Sequence, residues 1–396
     1  MRFWNSIVFL VSVLSSAFSQ SYSRSGELLW EIDFGNHKSY LWGTLHTNEK
    51  ELFEFPDSVF WAFDRCQVVA VEIDVFDYFL EKEPIIEYPK VSFDQRGKMY
   101  TSSEEPTQTY YGSEDGMPQF MDAFFQEVAE REGKKVVPLE SPDLQTKALD
   151  AAPLVEKELY GGSTEHVLLK SYYLQGRISA IDQLVRAKFS QQKQAYTELV
   201  EKRNQHLTDQ LYKEGKSNPV FCSVGAAHLY GEKGMLNLLR AKGCKVRKME
   251  LTTSQSNEVK GFPKSRKHEF VLSMEQSLIK ATFPGLPRNI PSGVVFKELG
   301  QGNTYKIQWQ PRDTAVTLLE YAEILMAPPP NSPYSIGVLD DGTEYVQGLS
   351  DAYPEPLTWK RIILNEHHVA ILTCHGGNKL MNSNRPTRFF NNVVLE

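Results

Sequence analysis

Two short segments of the chain share one pattern, Gly43-Thr-Leu-His46 and Gly225-Ala-Ala-His228, in which a glycine stands three residues ahead of a histidine. Each follows a run that reads as a β-strand. In an open parallel sheet, groups at strand exits converge on the crevice where ligands bind, so the two imidazoles can meet there. Gly43 and Gly225 let the backbone approach a ligand or a neighbouring strand where a Cβ would intrude. Two carboxylates end other strands of the same region, Glu72 in Val69-Ala-Val-Glu-Ile-Asp74 and Glu140 in Val137-Pro-Leu-Glu-Ser141. Glu72 interrupts an otherwise apolar strand, and a carboxylate there is costly unless a metal, a proton or a cation compensates it. On the helical segment from Gln194 to Lys213, Arg203 falls in the apolar stripe of Tyr196, Leu199, Val200, Leu207 and Leu211. Its guanidinium is therefore expected to face the carboxylates, with Asn204 beside it.

Two imidazoles with one or two carboxylates form a mixed nitrogen and oxygen donor set suited to zinc, manganese, iron or cobalt. An open coordination position would activate water for hydrolysis, and Arg203 would stabilise the developing oxyanion. Each residue alone has a plainer reading. A histidine at a strand end is often a hydrogen-bonded structural residue, Glu72 is a natural salt-bridge partner for Arg203, and a carboxylate after a strand, such as Glu140, commonly caps the next helix. Two equal motifs at equal positions in one domain favour a functional site over coincidence.

The elements that must hold these residues follow from the pattern. Residues 28–34 and 39–45 read as a hairpin around Gly35-Asn36, and residues 67–73 as a third strand. A helix starts near Pro118, carries Phe120, Phe124 and Val128 at helical spacing and stops at Gly133, ahead of a strand over residues 135–140. Residues 153–213 are helical in pattern, broken at Gly161-Gly162 and Gly176. A strand over 219–224, a helix over 232–242 and a strand over 244–249 complete a βα alternation, which implies a layered α/β domain with a largely parallel sheet. Residues 88–116 are polar and read as a loop or insertion. The segment 253–266, rich in polar residues with Gly261 and Pro263, reads as a linker between an α/β domain over 21–252 and a smaller α+β domain over 267–396.

The wider composition narrows the function. The chain has 396 residues, 41% of them apolar, with 43 basic against 50 acidic side chains and a formal net charge of −7. That is a globular composition without the basic footprint of a nucleic-acid binder. The first twenty residues carry Arg2, an apolar run from Ile7 to Ala17 and small residues at Ala17 and Ser19, the pattern of a secretory signal peptide cleaved near residues 19–20. The apolar run is far short of the roughly 20 residues that span a bilayer, and no later segment is long and apolar enough. A secreted or periplasmic location is expected. Among the four cysteines, Cys66, Cys222, Cys244 and Cys374, the spacing excludes Cys-x-x-Cys chemistry. Cys222 and Cys244 lie on strands joined by one helix and could pair, with buried free cysteine as the alternative. The sequence contains no His-Glu-x-x-His, no Gly-x-Ser-x-Gly, no phosphate-binding glycine loop and no dinucleotide fingerprint.

The segments Leu41-Trp-Gly-Thr-Leu-His46, Val71-Glu-Ile-Asp74, Lys202-Arg-Asn204 and the block from Val224 to Gly243 resemble the TraB/GumN/Tiki family, in the same order and with similar spacing over about residues 28–250. The resemblance implies an α/β fold shared with erythromycin-esterase-like and haem-binding ChaN-like proteins, and, for Tiki, a metal-dependent protease that trims secreted signalling proteins. Carried over residue by residue, the two Gly-x-x-His motifs fall on Gly43/His46 and Gly225/His228, the acidic strand residue on Glu72, the Arg-Asn pair on Arg203 and Asn204, and the acid of the next strand on Glu140. The membrane-attached C-terminus of the animal proteases has no counterpart here. Residues 267–396 resemble small PsbP/Mog1-like domains more weakly, through Phe270-Val-Leu-Ser-Met274, Thr282-Phe-Pro-Gly-Leu-Pro287 and the segment from Arg385 to Val394.

The expected protein is thus an exported metal-dependent hydrolase, most simply a peptidase acting on a peptide or secreted protein. His46, His228 and Glu72 would hold manganese, cobalt or zinc, Arg203 would polarise the carbonyl, Asn204 would orient substrate or water, and Glu140 would serve as general base. The alternative is a non-catalytic protein that sequesters a peptide, haem or other small ligand in the same crevice. A third reading makes residues 267–396 an independent docking module. There His367, His368, Cys374 and His375 invite a second metal site, but Asn365-Glu366 between two apolar runs makes a hairpin the more natural reading.

Overall fold

The computed structural model describes residues 26–46, 49–81, 92–93, 99–100, 121–141, 143–144, 164–252, 268–274, 277–329, 334–339, 341–351 and 357–396. The expected signal peptide over 1–20, the linker over 253–266, the glycine break at 161–162 and most of the polar stretch at 88–116 lie outside these residues.

The N-terminal part is built on a six-stranded mixed sheet: β1 (Leu29–Asp33), β2 (Lys38–Thr44), β3 (Val68–Val71), β6 (Lys135–Pro138), β7 (Val220–Gly225) and β8 (Lys245–Lys248). A two-residue ladder between β4 (Ser92–Phe93) and β5 (Met99–Tyr100) stands apart from it. The order across the sheet is β6-β3-β7-β2-β1-β8, with β6, β3, β7 and β2 parallel and the β2-β1 and β1-β8 pairs antiparallel. The central strands β3 and β7, Val-Val-Ala-Val and Val-Phe-Cys-Ser-Val-Gly, are buried along their whole length, as strands covered on both faces must be.

The covering helices are α1 (Asp57–Asp64), α2 (Val75–Glu81), α3 (Met121–Glu132), α4 (Thr164–Leu174), α5 (Ile178–Lys188), α6 (Lys193–Tyr196), α7 (Arg203–Gly215) and α8 (Met235–Ala241). Helix α3 stops at Gly133, whose φ of 73° is the left-handed conformation that ends helices and favours glycine. Leu41, Trp42, Phe63, Val69, Phe125, Leu207 and Phe221 anchor one core around the sheet.

The C-terminal region is antiparallel. Strands β9 (His268–Met274), β10 (Ser277–Phe283) and β18 (Val394–Leu395) form a three-stranded sheet. Strands β11 (Arg288–Ile290), β12 (Gly293–Glu298), β13 (Asn303–Pro311), β14 (Ser335–Val338), β15 (Glu344–Ser350), β16 (Thr358–Leu364) and β17 (His368–His375) form a seven-stranded sheet in the order β11-β12-β13-β17-β16-β15-β14. Helices α9 (Leu318–Leu325), α10 (Asn378–Met381) and α11 (Arg385–Asn391) accompany them. The expected hairpin at Asn365-Glu366 is the β16-β17 turn. It places His367 and His368 at one end of β17 and Cys374 and His375 at the other, so those four residues do not meet. His368 instead shares a hydrogen bond with Ser277 Oγ at 2.7 Å.

All four cysteines are free and buried. Cys222 and Cys244 do not pair because β8 joins the far side of the sheet, with β2 and β1 between it and β7. Three inter-strand steps put them roughly 14 Å apart, well outside disulfide reach.

Candidate active site

Four parallel strands end at the same edge of the N-terminal sheet, and each delivers one candidate residue there. His46 follows β2, Glu72 follows β3 directly, Glu140 lies two residues beyond β6, and His228 sits in a 3-10 turn, Ala226–His228, that leaves β7. Glu72 therefore stands on a strand between those carrying the two histidines and the second glutamate, and it is 2% exposed. Its Oε1 accepts a hydrogen bond from the Gly225 backbone N–H at 2.5 Å, and its Oε2 accepts one from Arg203 at 3.0 Å. His46 Nε2 and His228 Nε2 lie 3.7 Å and 3.6 Å from the same Oε1.

The glycines of the two motifs play different parts. A Cβ on Gly43 would stand 2.8 Å from Leu229 Cδ1 and 3.3 Å from Ala226 Cβ, so this glycine lets β2 seat against the turn that carries His228. A Cβ on Gly225 would stand 3.1 Å from Glu72 Oε1, 3.4 Å from His228 Cδ2 and 3.6 Å from His46 Nε2. All three residues thus border the hydrogen-bearing face of Gly225, with slightly less room than a methyl group needs.

Arg203 and Asn204 open α7, immediately after a six-residue π-helical turn, Thr197–Lys202. The sequence reads as one uninterrupted helix there. Single-turn π segments recur at functional sites, and this one precedes two consecutive residues that both reach the strand ends. Arg203 donates from Nε to both Glu140 oxygens at 3.2 Å, from Nη2 to Glu140 and Glu72, and from Nη1 to the Leu199 carbonyl at 3.5 Å. The guanidinium thus bridges Glu72 and Glu140. Glu140, 4% exposed, is likewise committed to Arg203, and burial raises its pKa although Arg203 opposes the shift. Asn204 does not face open space either. Its Nδ2 donates to the Lys233 carbonyl at 2.9 Å, which turns its Oδ1 toward His228 Nδ1 at 2.6 Å.

An amide oxygen only accepts, so His228 Nδ1 carries the proton in this bond. Burial drives the His228 pKa down to about 4, with the Glu72 charge opposing and the Arg203 and His46 charges adding to the depression. The ring is then neutral at pH 7, and its Nε2 lone pair is turned toward Glu72 Oε1. His46 behaves oppositely. Burial disfavours its charge, but the Glu72 hydrogen bond and the Glu72 and Asp122 charges prevail and raise its pKa to about 9. Glu72 stays ionised: burial works against its charge, while His228, His46 and Arg203 together hold its pKa well below the usual carboxylate range.

Asp122, in the first turn of α3, was not among the residues singled out from the sequence, and the structure brings it into the site. Its Oδ2 lies 3.4 Å from His46 Nε2, and both its oxygens accept from Thr44 Oγ1 at 3.1 Å. Burial raises its pKa to about 6, against the His46 charge and with the Glu72 charge. The cluster therefore sets two cationic groups, His46 and Arg203, against three carboxylates, Glu72, Glu140 and Asp122.

Two imidazole nitrogens and a carboxylate oxygen are donors of the kind that bind a divalent ion. Two ligands each about 2.1 Å from a tetrahedral ion stand roughly 3.4 Å apart, and the nitrogen to oxygen separations of 3.6 and 3.7 Å are slightly wider. As it stands, no group of three or more His, Cys, Asp or Glu side chains among the described residues is assembled as a metal site. No described helix is long and apolar enough to cross a membrane.

The model of the TraB/PrgY/gumN family matches residues 28–108 and 107–248, which include every strand of the mixed sheet and all the site residues above. No curated protein sequence matches the chain. The chain belongs to the TraB/PrgY/gumN family.

Proposed function

We propose that this member of the TraB/PrgY/gumN family is an exported metal-dependent hydrolase of amide bonds, acting on a peptide or secreted protein. The observation that carries the reading is the convergence of His46 Nε2 and His228 Nε2 on one oxygen of Glu72, at 3.7 Å and 3.6 Å, beside a residue that bears no side chain. Neutral His228 Nε2, His46 Nε2 and Glu72 Oε1 would hold the ion, with manganese, cobalt and zinc matching these donors. When bound, a divalent ion would supply Lewis-acid activation of water or of a carbonyl.

The chain's own residues supply the rest. Asn204 fixes the His228 tautomer, the outer-shell role that keeps a ligating nitrogen bare and aimed. Arg203 and the Gly225 amide hold Glu72 in one orientation and keep it ionised. Asp122, with a pKa near 6 and lying 3.4 Å from His46 Nε2, would take a proton from attacking water and return it to the departing amine.

The test is turnover. Protein freed of metal and then loaded with zinc, manganese or cobalt should cleave members of a quenched-fluorescence peptide library. His46→Ala and Asp122→Asn should abolish cleavage while leaving the circular-dichroism spectrum and melting temperature close to those of the parent. Absence of turnover with every metal and peptide class, from protein that does take up the ion, would leave sequestration of a ligand in the same crevice as the better reading.

A further inference from the structure

Helix α3 buries Asp122, Gln126, Glu127 and Glu130 along with its apolar residues, and only Asp122 belongs to the site. Gln126 bonds to α2 and to Glu130, while Glu127 and Glu130 face the C-terminal region. Glu130 Oε1 accepts from Arg288 Nη2 at 2.6 Å, and Glu127 Oε2 accepts from the Gly300 backbone N–H. Arg288 Nη1 also donates to Asp74 Oδ2 at 2.6 Å and Asp77 Oδ1 at 2.7 Å, and its guanidinium lies 4.3 Å above the Phe76 ring. Phe76, from α2, is fully buried in the core of the C-terminal sheets, and Leu299 packs with Val75 and Ala123.

Asp74 is two residues beyond Glu72. Its Oδ1 accepts from the Phe76 and Asp77 amides and from Gln126 Nε2, so it caps α2 and ties α2 to α3. Gln126 in turn accepts from the Val75 amide at 2.9 Å and donates to Glu130. The chain leaving Glu72 and the helix that carries Asp122 are thus both fastened to β11 and to the turn at Leu299-Gly300, through contacts one to eight residues from the two site carboxylates.

We infer that the C-terminal region is part of the scaffold of the site, with Arg288 a positioning residue that sets Glu72 and Asp122 through Asp74 and α3. A seven-residue helix such as α2 does not hold itself, so its place is dictated by what it docks on. One guanidinium bonding to two segments at once fixes their separation in a way that two independent contacts would not. The region is then no detachable module: removing it would uncover Phe76, Asp74, Glu127 and Glu130 together.

The metal arm of the test rests on the function proposed above; the exchange arm does not. Full-length Arg288→Ala and Arg288→Lys are compared with the parent by hydrogen exchange and by titration calorimetry with zinc. Arg288→Ala should speed exchange at residues 74–81 and 121–130 by at least about tenfold while leaving β7 and α8 unchanged. It should also weaken zinc binding about 10- to 100-fold, with Arg288→Lys recovering part of both effects. Exchange that stays at the parent rate in those segments, or rises equally throughout the chain, would overturn the inference. Should Arg288→Ala fail to fold, Leu299→Ala keeps every charge, and faster exchange confined to 74–81 and 121–130 is the expected result; unchanged exchange there refutes it. If the parent takes no zinc, the titration is repeated with manganese and cobalt; a parent that takes none of the three would refute the proposed function and leave the exchange comparison to decide this inference.

Discussion

Replacing Gly225 by alanine separates a functional role for the site from a structural one. The backbone at Gly225, φ −52° and ψ 133°, is open to any residue, so a side chain there meets no conformational penalty. Alanine at a compatible position gains about 0.4–1 kcal/mol by restricting the unfolded chain. The added methyl would sit 3.1 Å from Glu72 Oε1, which must yield by a few tenths of an ångström, and the two effects should leave stability within about 1 kcal/mol of the parent. The same methyl fills the space among Glu72, His228 and His46. Losing a single outer-shell contact costs a metal site about 10- to 100-fold in affinity, so occupying the space itself should cost more than about 100-fold, or roughly 2.7 kcal/mol. Calorimetric titration with zinc, beside thermal unfolding without metal, reads both quantities. Gly43→Ala is the control with the opposite signature. Its methyl would meet Leu229 Cδ1 at 2.8 Å in the core, which should cost about 1–3 kcal/mol of stability and leave metal affinity within about tenfold. A Gly225→Ala protein that binds zinc as tightly as the parent would refute the placement of the ion.

Three further outcomes follow from the geometry. Asn204→Ala frees the His228 ring and leaves the Lys233 carbonyl without its amide donor; metal affinity should fall about 10- to 100-fold and stability by about 1–3 kcal/mol, read by the same two assays. Because His46 holds a proton up to a pKa of about 9, an incoming ion must displace it, so affinity should rise with pH by nearly tenfold per unit from pH 7 toward 9 and then level off. A flat profile over that interval would show that His46 is not a ligand. The four buried cysteines should resist a thiol reagent in the folded protein, and all four should react in denaturant without prior reduction; fewer than four would reveal a disulfide.

The candidate ligands were legible because their signal is local. A charged or imidazole side chain at the end of an apolar strand names its own position, and parallel strands bring such ends to one edge. Arg203 was legible for a related reason, since its place in an apolar stripe turns it inward, and it does bond to both glutamates. Which carboxylates it meets was not legible, because that depends on which of them the fold brings within reach. Asn204 likewise reads as a substrate contact until the turn after β7 places His228 against it. Asp122 was hidden by its helix. Phe124 and Val128 mark an apolar stripe that says nothing of the polar residues beside it, yet Asp122, Gln126, Glu127 and Glu130 are all buried. Asp122 is met by Thr44 and His46, and Glu127 and Glu130 are met by residues 288 and 300, more than 150 positions away in the chain, and no local pattern announces either. The sheet shows the same division. The parallel strands followed from the βα alternation, while β8 pairs beyond β1 at the far edge, a long-range choice that also separates Cys222 from Cys244.

The most direct test of the central claim is the metal content of full-length protein purified without a histidine tag, by elemental analysis, beside a His46→Ala/His228→Ala double variant. The account predicts about one manganese, cobalt or zinc ion per chain, either as isolated or after reconstitution, and none in the variant. Protein that stays metal-free after reconstitution with all three, or a variant that retains the ion, would contradict it.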